Sequence, residues 1–202
     1  LGLRQVDGAV EVLADEPAGS PLPWPVKGDE DDPAHVLLDD VDGDGDADVL
    51  IGQHFNSTID LAEAEPIRLF RNEGRSGGGE LELVDDTDTA GLPPLPTKSP
   101  QVLAIDLDDD GARDVVLTAS LASSADHVPL VLRHRGDGQS GPLYEASLAE
   151  AAGFEVPGGI DAHYWIDGVV LDANGDGRDD VFMVEWEPAI GSRLFLNLPA
   201  DP

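Results

Sequence analysis

The stretch Asp40-Val41-Asp42-Gly43-Asp44-Gly45-Asp46-Ala47-Asp48 decides how the rest of the chain is interpreted. The pattern returns at residues 106–114 and again at residues 172–180, so that each copy begins 66 positions after the previous one. Every copy carries Asp or Asn at positions 1, 3, 5 and 9 and Gly at position 6. A short loop needs this arrangement to surround a hard, oxygen-seeking cation. The sequence therefore predicts three metal-binding loops.

Carboxylate, amide and carbonyl oxygens without Cys or His favour calcium over zinc or copper, and we expect about three Ca²⁺ ions. Position 7 varies freely and is expected to contribute its backbone carbonyl. The predicted ligands are Asp40, Asp42, Asp44, Asp46 and Asp48; Asp106, Asp108, Asp110, Ala112 and Asp114; and Asp172, Asn174, Asp176, Arg178 and Asp180. A solvated acidic turn is the alternative, but four carboxylates within nine residues repel one another unless a divalent ion separates them.

An EF-hand shares the start of this pattern but requires a Glu at position 12 and a flanking helix on each side. Position 12 is instead apolar, namely Ile51, Leu117 and Met183. Each loop is also entered and left by a short run rich in β-branched and aliphatic residues, as at Val115-Val116-Leu117 after the second loop. The loops are therefore predicted to join two strands of a hairpin.

The composition favours an acidic, turn-rich globular protein. The chain has 202 residues, a formal net charge of −31, 23 Gly, 16 Pro and no Cys. Such acidity argues against nucleic acid and against insertion into or binding to anionic membranes. Modular calcium sites of this type bind in the range of about 10⁻⁴ to 10⁻³ M, which favours an extracellular, cell-surface or periplasmic location. The start at Leu1 suggests a processed or partial chain.

The 66-residue repeat extends beyond the loops. A third apolar run follows each hairpin, as in Leu69-Phe70-Arg71-Asn72, and a fourth run ends the first two units at 81–85 and 143–147. The third unit has no fourth run, whereas a matching run, Val10 to Asp15, precedes the first unit. We therefore predict an all-β, propeller-like fold with antiparallel four-stranded blades. The expected division is residues 1–33 for strands of a preceding or closing blade, 34–92 for the first blade, 100–154 for the second and 160–202 for the third.

The loop at 40–48, Leu-Phe-Arg-Asn at 69–72, Leu-Phe-Leu-Asn at 194–197 and the Ala-Gly-Leu or Ala-Gly-Phe after the fourth run resemble the FG-GAP or VCBS repeat family. These are the calcium-loop propeller blades of integrin α-subunit heads and many bacterial surface proteins. The count differs, because propellers usually have 4 to 8 blades. Either the chain is part of a larger propeller, or two chains combine their blades, or an open stack exposes an edge for a partner; we favour the first.

The resemblance implies that ligands bind on the face opposite the calcium loops. The connections on that face are rich in aromatic and His residues, which are typical contact anchors on loops. The candidate contact residues are Trp24, His54, Phe55, His127, His163, Tyr164, Trp165 and Trp186. The alternative is that these rings pack between blades.

The expected function is a non-catalytic, calcium-stabilised repeat module that binds a protein or a carbohydrate, or other subunits of an assembly. One alternative is a propeller enzyme acting on glycans or lipids, with Asp60, Asp126 and Glu187 as candidate carboxylates. The other is a structural subunit that uses an unclosed blade edge for strand addition.

Overall fold

The computed structural model describes the backbone of most of the repeat region and of two short amino-terminal segments. The described residues are 2–6, 9–13, 32–54, 66–75, 81–95, 97, 101–121, 127–136, 141–156, 158–159, 163–186 and 191–199. Thirteen strands lie within these residues, together with one 3₁₀ turn at Glu150–Ala152. All strand pairs in them are antiparallel. The prediction of an all-β fold is confirmed.

The strands form four sheets in chain order. The amino-terminal pair is β1 (Gly2–Val6) and β2 (Ala9–Leu13). The first blade sheet contains β3 (Asp32–Asp39), β4 (Asp48–His54), β5 (Arg68–Arg75) and β6 (Leu81–Asp85). The second contains β7 (Val102–Ile105), β8 (Asp114–Leu121), β9 (His127–His134) and β10 (Tyr144–Leu148). The third contains β11 (Trp165–Leu171), β12 (Asp180–Glu185) and β13 (Arg193–Phe195).

Each blade sheet is an up-and-down meander, because its strands are neighbours in the order in which they follow one another along the chain. The third sheet has three strands among the described residues, as the missing fourth run of the sequence predicted. Residues 10–13 of the apolar run that precedes the first unit lie in β2, which pairs with β1 in a separate sheet. The structure thus has propeller-like blades arranged as an unclosed series.

Two apolar layers hold the three blade sheets together. Strand β8 contributes to both of them, since successive side chains of a strand point to opposite faces. Val115 and Leu117 belong to the layer against the first sheet, and Val116 belongs to the layer against the third. All three side chains are fully buried. Burial on both faces explains why β8 reads as a continuous apolar run rather than an alternating one.

The segment after each fourth strand crosses to the next sheet. Following β6, the carbonyl of Ala90 accepts a hydrogen bond from the backbone N–H of Tyr144, the first residue of β10, at 2.8 Å. Gly91 has a φ of +80°, and a Cβ placed there would lie 2.1 Å from the Tyr144 carbonyl oxygen. Gly153 stands in the same place after β10, with a φ of +96°, but a Cβ there would meet nothing within 4 Å. The difference arises because, in the part of the chain that the structure describes, the third sheet has no fourth strand beside Gly153.

We predict that Gly91→Ala destabilises the protein much more than Gly153→Ala. Both substitutions place an L residue in the left-handed region, at a cost of about 1–2 kcal/mol. Only the first also pushes a methyl group into the backbone of the next sheet, which adds about 1–3 kcal/mol by overpacking. Urea unfolding followed by circular dichroism measures both free energies of unfolding. Equal losses for the two variants would contradict the proposed seating of β10 on the Ala90-Gly91 segment.

Candidate metal centres

The three acidic loops are hairpin connections between the first and second strand of each blade sheet. Their closing pairs are Asp39 with Asp48, Ile105 with Asp114, and Leu171 with Asp180. The predicted hairpins are therefore present in all three units. The second loop has Asp109 where the other two have Gly43 and Gly175, and its φ is +58°. Asp is among the few residue types other than Gly that adopt this conformation readily.

The position-1 carboxylate accepts a hydrogen bond from a backbone N–H group of its own loop in each unit. One oxygen of Asp40 accepts the N–H of Gly45, one of Asp106 that of Gly111, and one of Asp172 that of Gly177, each at 3.0 Å. The position-5 carboxylate accepts the N–H of position 7 in each loop, at 2.8 to 2.9 Å. These local bonds to backbone N–H groups hold the loop in a tight turn.

The position-9 carboxylate, which we call the clamp aspartate, ties the loop to the third strand. One oxygen of Asp48 accepts the N–H of Val41 at 2.9 Å, and the other accepts the N–H of Asn72 at 2.8 Å. Asp114 bonds in the same way to Leu107 and His134. Asp180 does so to Ala173 and Asn197. The three clamp aspartates are buried. Burial raises the pKa of Asp48 and of Asp114, although the backbone N–H donors act in the opposite direction.

Two loops gather carboxylate oxygens closely enough to share one cation. Oxygens of Asp40, Asp42 and Asp48 lie within 4.8 Å of one another in the first loop, and those of Asp106, Asp108 and Asp110 do so in the second. Oxygens that bind one calcium ion at 2.3–2.6 Å are separated by at most about 5 Å. The donor set and its spacing therefore fit a hard divalent cation.

The remaining predicted ligands are not part of these two clusters. Asp44 and Asp114 are outside the clusters of their own loops. In the third loop, the amide nitrogen of Asn174 donates a hydrogen bond to Asp176 at 2.9 Å. Carbonyl coordination at position 7, by Asp46, Ala112 and Arg178, stays a prediction.

An arginine on the third strand compensates charge in the first two loops, and the sequence patterns did not reveal it. Arg71 Nη1 lies 3.3 Å from Asp42 Oδ2. Arg133 Nη1 lies 2.8 Å from Asp114 Oδ2 and 3.8 Å from Asp108 Oδ2. Both arginines directly precede the third-strand residue whose N–H binds the clamp aspartate.

In the third unit, the same two positions change together. Leu196 precedes Asn197 where the other units have arginine, and position 3 is Asn174 instead of Asp. The loss of a positive charge thus accompanies the loss of a negative one. This paired change is the sequence signal for the arginine–carboxylate contact. It can be seen only when the third strands of the units are aligned on the residue whose N–H binds the clamp aspartate.

Ion pairs also connect the second loop to the third. Arg113 Nη1 lies 2.9 Å from Asp179 Oδ2, and Arg178 pairs with Asp109 in the reverse direction. The N–H of Asp106 donates to Asp179 at 3.4 Å. Because these side chains are partly exposed, each pair contributes little by itself. Their effect is to fix the position of neighbouring loops relative to each other.

The predicted ligand-contact residues fall into different environments. Trp165 is fully buried between the second and third sheets, where its ring lies 5.2 Å from that of His163 and 6.1 Å from that of Phe195. Trp165 therefore packs between blades, as the alternative interpretation of the aromatic residues predicted, and is not an exposed ligand contact. His163 is also buried, and its Nδ1 lies 3.1 Å from Glu185 Oε2.

Tyr164 and Trp186 remain accessible at the end of the third sheet away from its acidic loop. Trp186 is 62% exposed and Tyr164 is half-buried, with ring centroids 6.5 Å apart. The Trp186 N–H donates to the Tyr164 carbonyl at 2.9 Å. The other candidates cannot be placed: the side chains of His54 and His127, and all of Trp24, Phe55, Asp60, Asp126 and Glu187, lie outside the described residues.

Comparison with protein-family models identifies the repeat. Residues 40–117, from the first acidic loop to the strand after the second, match the FG-GAP-like repeat. This part of the chain therefore carries an FG-GAP-like repeat. The family resemblance found in the sequence is thereby confirmed, and its loop, hairpin and third strand are those described above. No curated protein matches the chain. Among the described residues, no helix of this FG-GAP-like repeat chain is long and apolar enough to cross a membrane.

We predict that, in the absence of metal, Asp114→Asn destabilises the protein and Asp108→Asn does not, because only Asp114 acts as a clamp aspartate. The first replaces a buried acceptor oxygen by an amide donor that faces a backbone N–H, so the free energy of unfolding without metal should fall by about 2 kcal/mol or more. The second removes an exposed like charge and should leave that free energy unchanged or slightly higher. Urea unfolding in excess chelator measures both. If the metal-free Asp108→Asn protein loses as much stability as Asp114→Asn, the clamp aspartate contributes no more to stability than an exposed carboxylate of the same loop, and the prediction is wrong.

Proposed function

We propose that this FG-GAP-like repeat chain is a calcium-stabilised, non-catalytic β-propeller-type module that binds a protein or a carbohydrate outside the cytoplasm. The observation that carries the proposal is the convergence of three carboxylates in each of the first two loops. The two loops have no Cys or His that would favour a softer metal.

The charge of the chain supports a structural ion. Each clustered loop gathers at least three formal negative charges, and the nearby arginine supplies one positive charge. A divalent cation would neutralise most of the remainder. Asp40, Asp42 and Asp48 would hold it in the first loop, and Asp106, Asp108 and Asp110 in the second, while the buried clamp aspartates, Asp48 among them, keep the loops in place. The ion would supply electrostatic cross-linking within the hairpin.

The third loop fits the same role with a weaker donor set. Asp172, Asn174 and Asp176 offer oxygens, but the Asn contributes no charge. Calcium affinity depends on the number of charged ligands. We therefore propose that the third loop binds more weakly than the first two.

The proposed ligand surface lies at the opposite end of the third sheet from its acidic loop. There, Tyr164 and Trp186 offer two neighbouring aromatic rings, and the backbone bond between them holds one strand end beside the other. Behind them, the buried pair of His163 and Glu185 stabilises the strand ends, because Glu185 also accepts the N–H of Tyr164 at 3.1 Å. Exposed aromatic rings on a rigid support suit contacts with a protein or with the apolar face of a sugar.

We predict that calcium raises the melting temperature. With a Kd of about 0.1 mM and about 1 mM free calcium, each of the first two sites adds roughly 1.4 kcal/mol, and the weaker third site adds less, so that the three together add about 3 kcal/mol. For a protein of this size the expected shift is about 6–12 °C. Differential scanning calorimetry in calcium and in excess chelator measures it, with magnesium at equal concentration as the control. Identical melts in calcium and chelator would refute the calcium role.

We also predict that Trp186→Ala abolishes ligand binding without changing the calcium response. The probe is an array of immobilised glycans and extracellular proteins, and the matched control is Leu148→Ala, which removes another exposed apolar side chain. A loss of binding at least 10-fold greater than that of the control corresponds to a contact residue. Equal retention by both variants would place the ligand surface elsewhere.

A further inference from the structure

We propose that the second and third acidic loops bind calcium as a coupled pair, in which Asp179 of the third loop positions a ligand of the second. The first loop binds its ion independently of the other two. This inference rests on the proposed calcium role. It adds an order in which the loops fill and assigns positioning roles to side chains that are not ligands.

Both backbone polar groups of Asp106 are held by the third blade. Its N–H donates to Asp179 Oδ2 at 3.4 Å, and its carbonyl oxygen accepts a hydrogen bond from Asn197 Nδ2, also at 3.4 Å. The Asp106 carboxylate is one of the three that converge in the second loop, and it accepts the N–H groups of Asp110 and Gly111. The third blade therefore fixes the residue around which the second loop is organised.

Two ion pairs of opposite direction connect the loops. Arg113, at position 8 of the second loop, has its Nη1 2.9 Å from Oδ2 of Asp179, at position 8 of the third. Arg178, at position 7 of the third loop, pairs with Asp109 at position 4 of the second. The same Oδ2 of Asp179 thus receives the Arg113 guanidinium and the Asp106 N–H. A shift of either loop changes both ion pairs.

Asp109 occupies a position that is Gly in the other two loops. Gly43 and Gly175 have φ values of +79° and +78°, and Asp109 adopts the same left-handed region with a φ of +58°. Gly enters this region without a steric cost. An Asp at this position supplies a carboxylate, and that carboxylate pairs with Arg178. The second loop therefore departs from the repeat at the point where it contacts the third loop.

The first loop is connected differently. Its position 4 is Gly43, which has no charge to offer, and the N–H of Asp40 donates to the neighbouring Asp39 at 3.2 Å. Among the described residues, no ion pair joins the first loop to the second. Its link to the second blade is His134, whose Nε2 lies 2.9 Å from the Val41 carbonyl oxygen. The first loop therefore serves as an internal reference for the other two.

These contacts couple the two sites because a carboxylate that holds an ion is restrained. Asp106 is restrained when it binds calcium, and the restraint passes to Asp179 through the N–H group between them. A loop that is already ordered loses less conformational entropy when it binds its own ion. Repulsion between the two ions acts in the opposite direction, but water and salt screen it because the loops are exposed. The coupling is therefore positive.

The third loop gains most from this coupling. It has the weaker donor set, with Asn174 at position 3, whereas three carboxylates converge in the second loop. The second loop therefore fills first, and the third then fills at a lower calcium concentration than it would alone. Because the linking side chains are partly exposed, we expect a factor at the lower end of the usual range for coupled sites, about 5-fold.

A calcium titration followed by NMR separates the three loops. Each has a Gly at position 6 whose N–H binds the position-1 carboxylate, so that the amide signals of Gly45, Gly111 and Gly177 report the loops one by one. Asp179→Ala should raise the Kd reported by Gly111 by about 10-fold or more, as the loss of a group that supports a metal ligand typically does. The Kd reported by Gly45 should not change.

Asp179→Asn is the matched control, because it removes the same charge but keeps an oxygen that can accept the Asp106 N–H. It should raise the Kd at Gly111 much less than Asp179→Ala does. Asp88→Ala, which removes an exposed carboxylate outside the three loops, should change none of the three values. Equal increases for Asp179→Asn and Asp179→Ala would reduce Asp179 to a general charge effect and overturn its positioning role.

The coupling is measured by emptying the second loop. Asp108→Asn should raise the Kd reported by Gly177 about 5-fold, whereas Asp42→Asn, the same change at position 3 of the first loop, should not affect it. Asp109→Gly removes the partner of Arg178 and restores the residue of the other loops. In that background, Asp108→Asn should have a smaller effect on Gly177. An unchanged Kd at Gly177 in the single variant Asp108→Asn would overturn the coupling.

A measurement in excess chelator tests the positioning without calcium. Amide hydrogen exchange at Asp106 should be about 10-fold faster or more in Asp179→Ala than in the unmodified chain, because its N–H loses an acceptor. Unchanged exchange at Asp106 would overturn the positioning role. If the unmodified chain binds no calcium at any of the three glycines, the proposed function fails and this inference fails with it. If calcium binds but Asp179→Ala and Asp88→Ala behave alike, only this inference fails.

Discussion

A buried carboxylate that accepts two backbone N–H groups is the interaction on which each blade depends. The clamp aspartates Asp48, Asp114 and Asp180 begin the second strand of their sheets, and each binds the start of the loop with one oxygen and the third strand with the other. A single side chain thus connects the second strand with the start of the loop and with the third strand or the residues just after it. Hydrogen bonds to a charged group contribute about 1.5–3 kcal/mol, and leaving such N–H groups unpaired costs a similar amount. The loop geometry that brings the other carboxylates together follows from this anchor.

The charge of the loops explains why the first two units carry an arginine as a counter-charge. An arginine on the third strand faces position 3 in the first two units, and in the third unit Leu196 and Asn174 replace that pair of charges. Ion pairs from Arg113 and Arg178 then link the second loop to the third. A chain with a net charge of −31 uses its 11 basic residues partly at these points. A divalent ion in the loops, as we propose, would extend the same compensation.

Much of the fold could be predicted from the sequence because the repeat is strict where the chain is tightly constrained. The loops recur every 66 residues, position 12 is always apolar, and the third unit, which lacks a fourth run, has a three-stranded sheet among the described residues. The clamp could not be predicted, since its partner on the third strand follows by 24, 20 or 17 residues in the three units. The burial of Trp165 was also hidden, because it depends on the facing sheet and not on the local pattern of its own strand.

The clamp is tested most directly by amide hydrogen exchange, measured by NMR at neutral pH in excess chelator. His134 ends β9 and Asn197 follows β13, and such positions otherwise fray and exchange quickly, whereas Asn72 lies within β5 but donates its N–H to Asp48. The clamp predicts that all three exchange slowly, at rates like those of core residues such as Val116. Exchange at the rate of the exposed loop amides at these three positions would contradict the account.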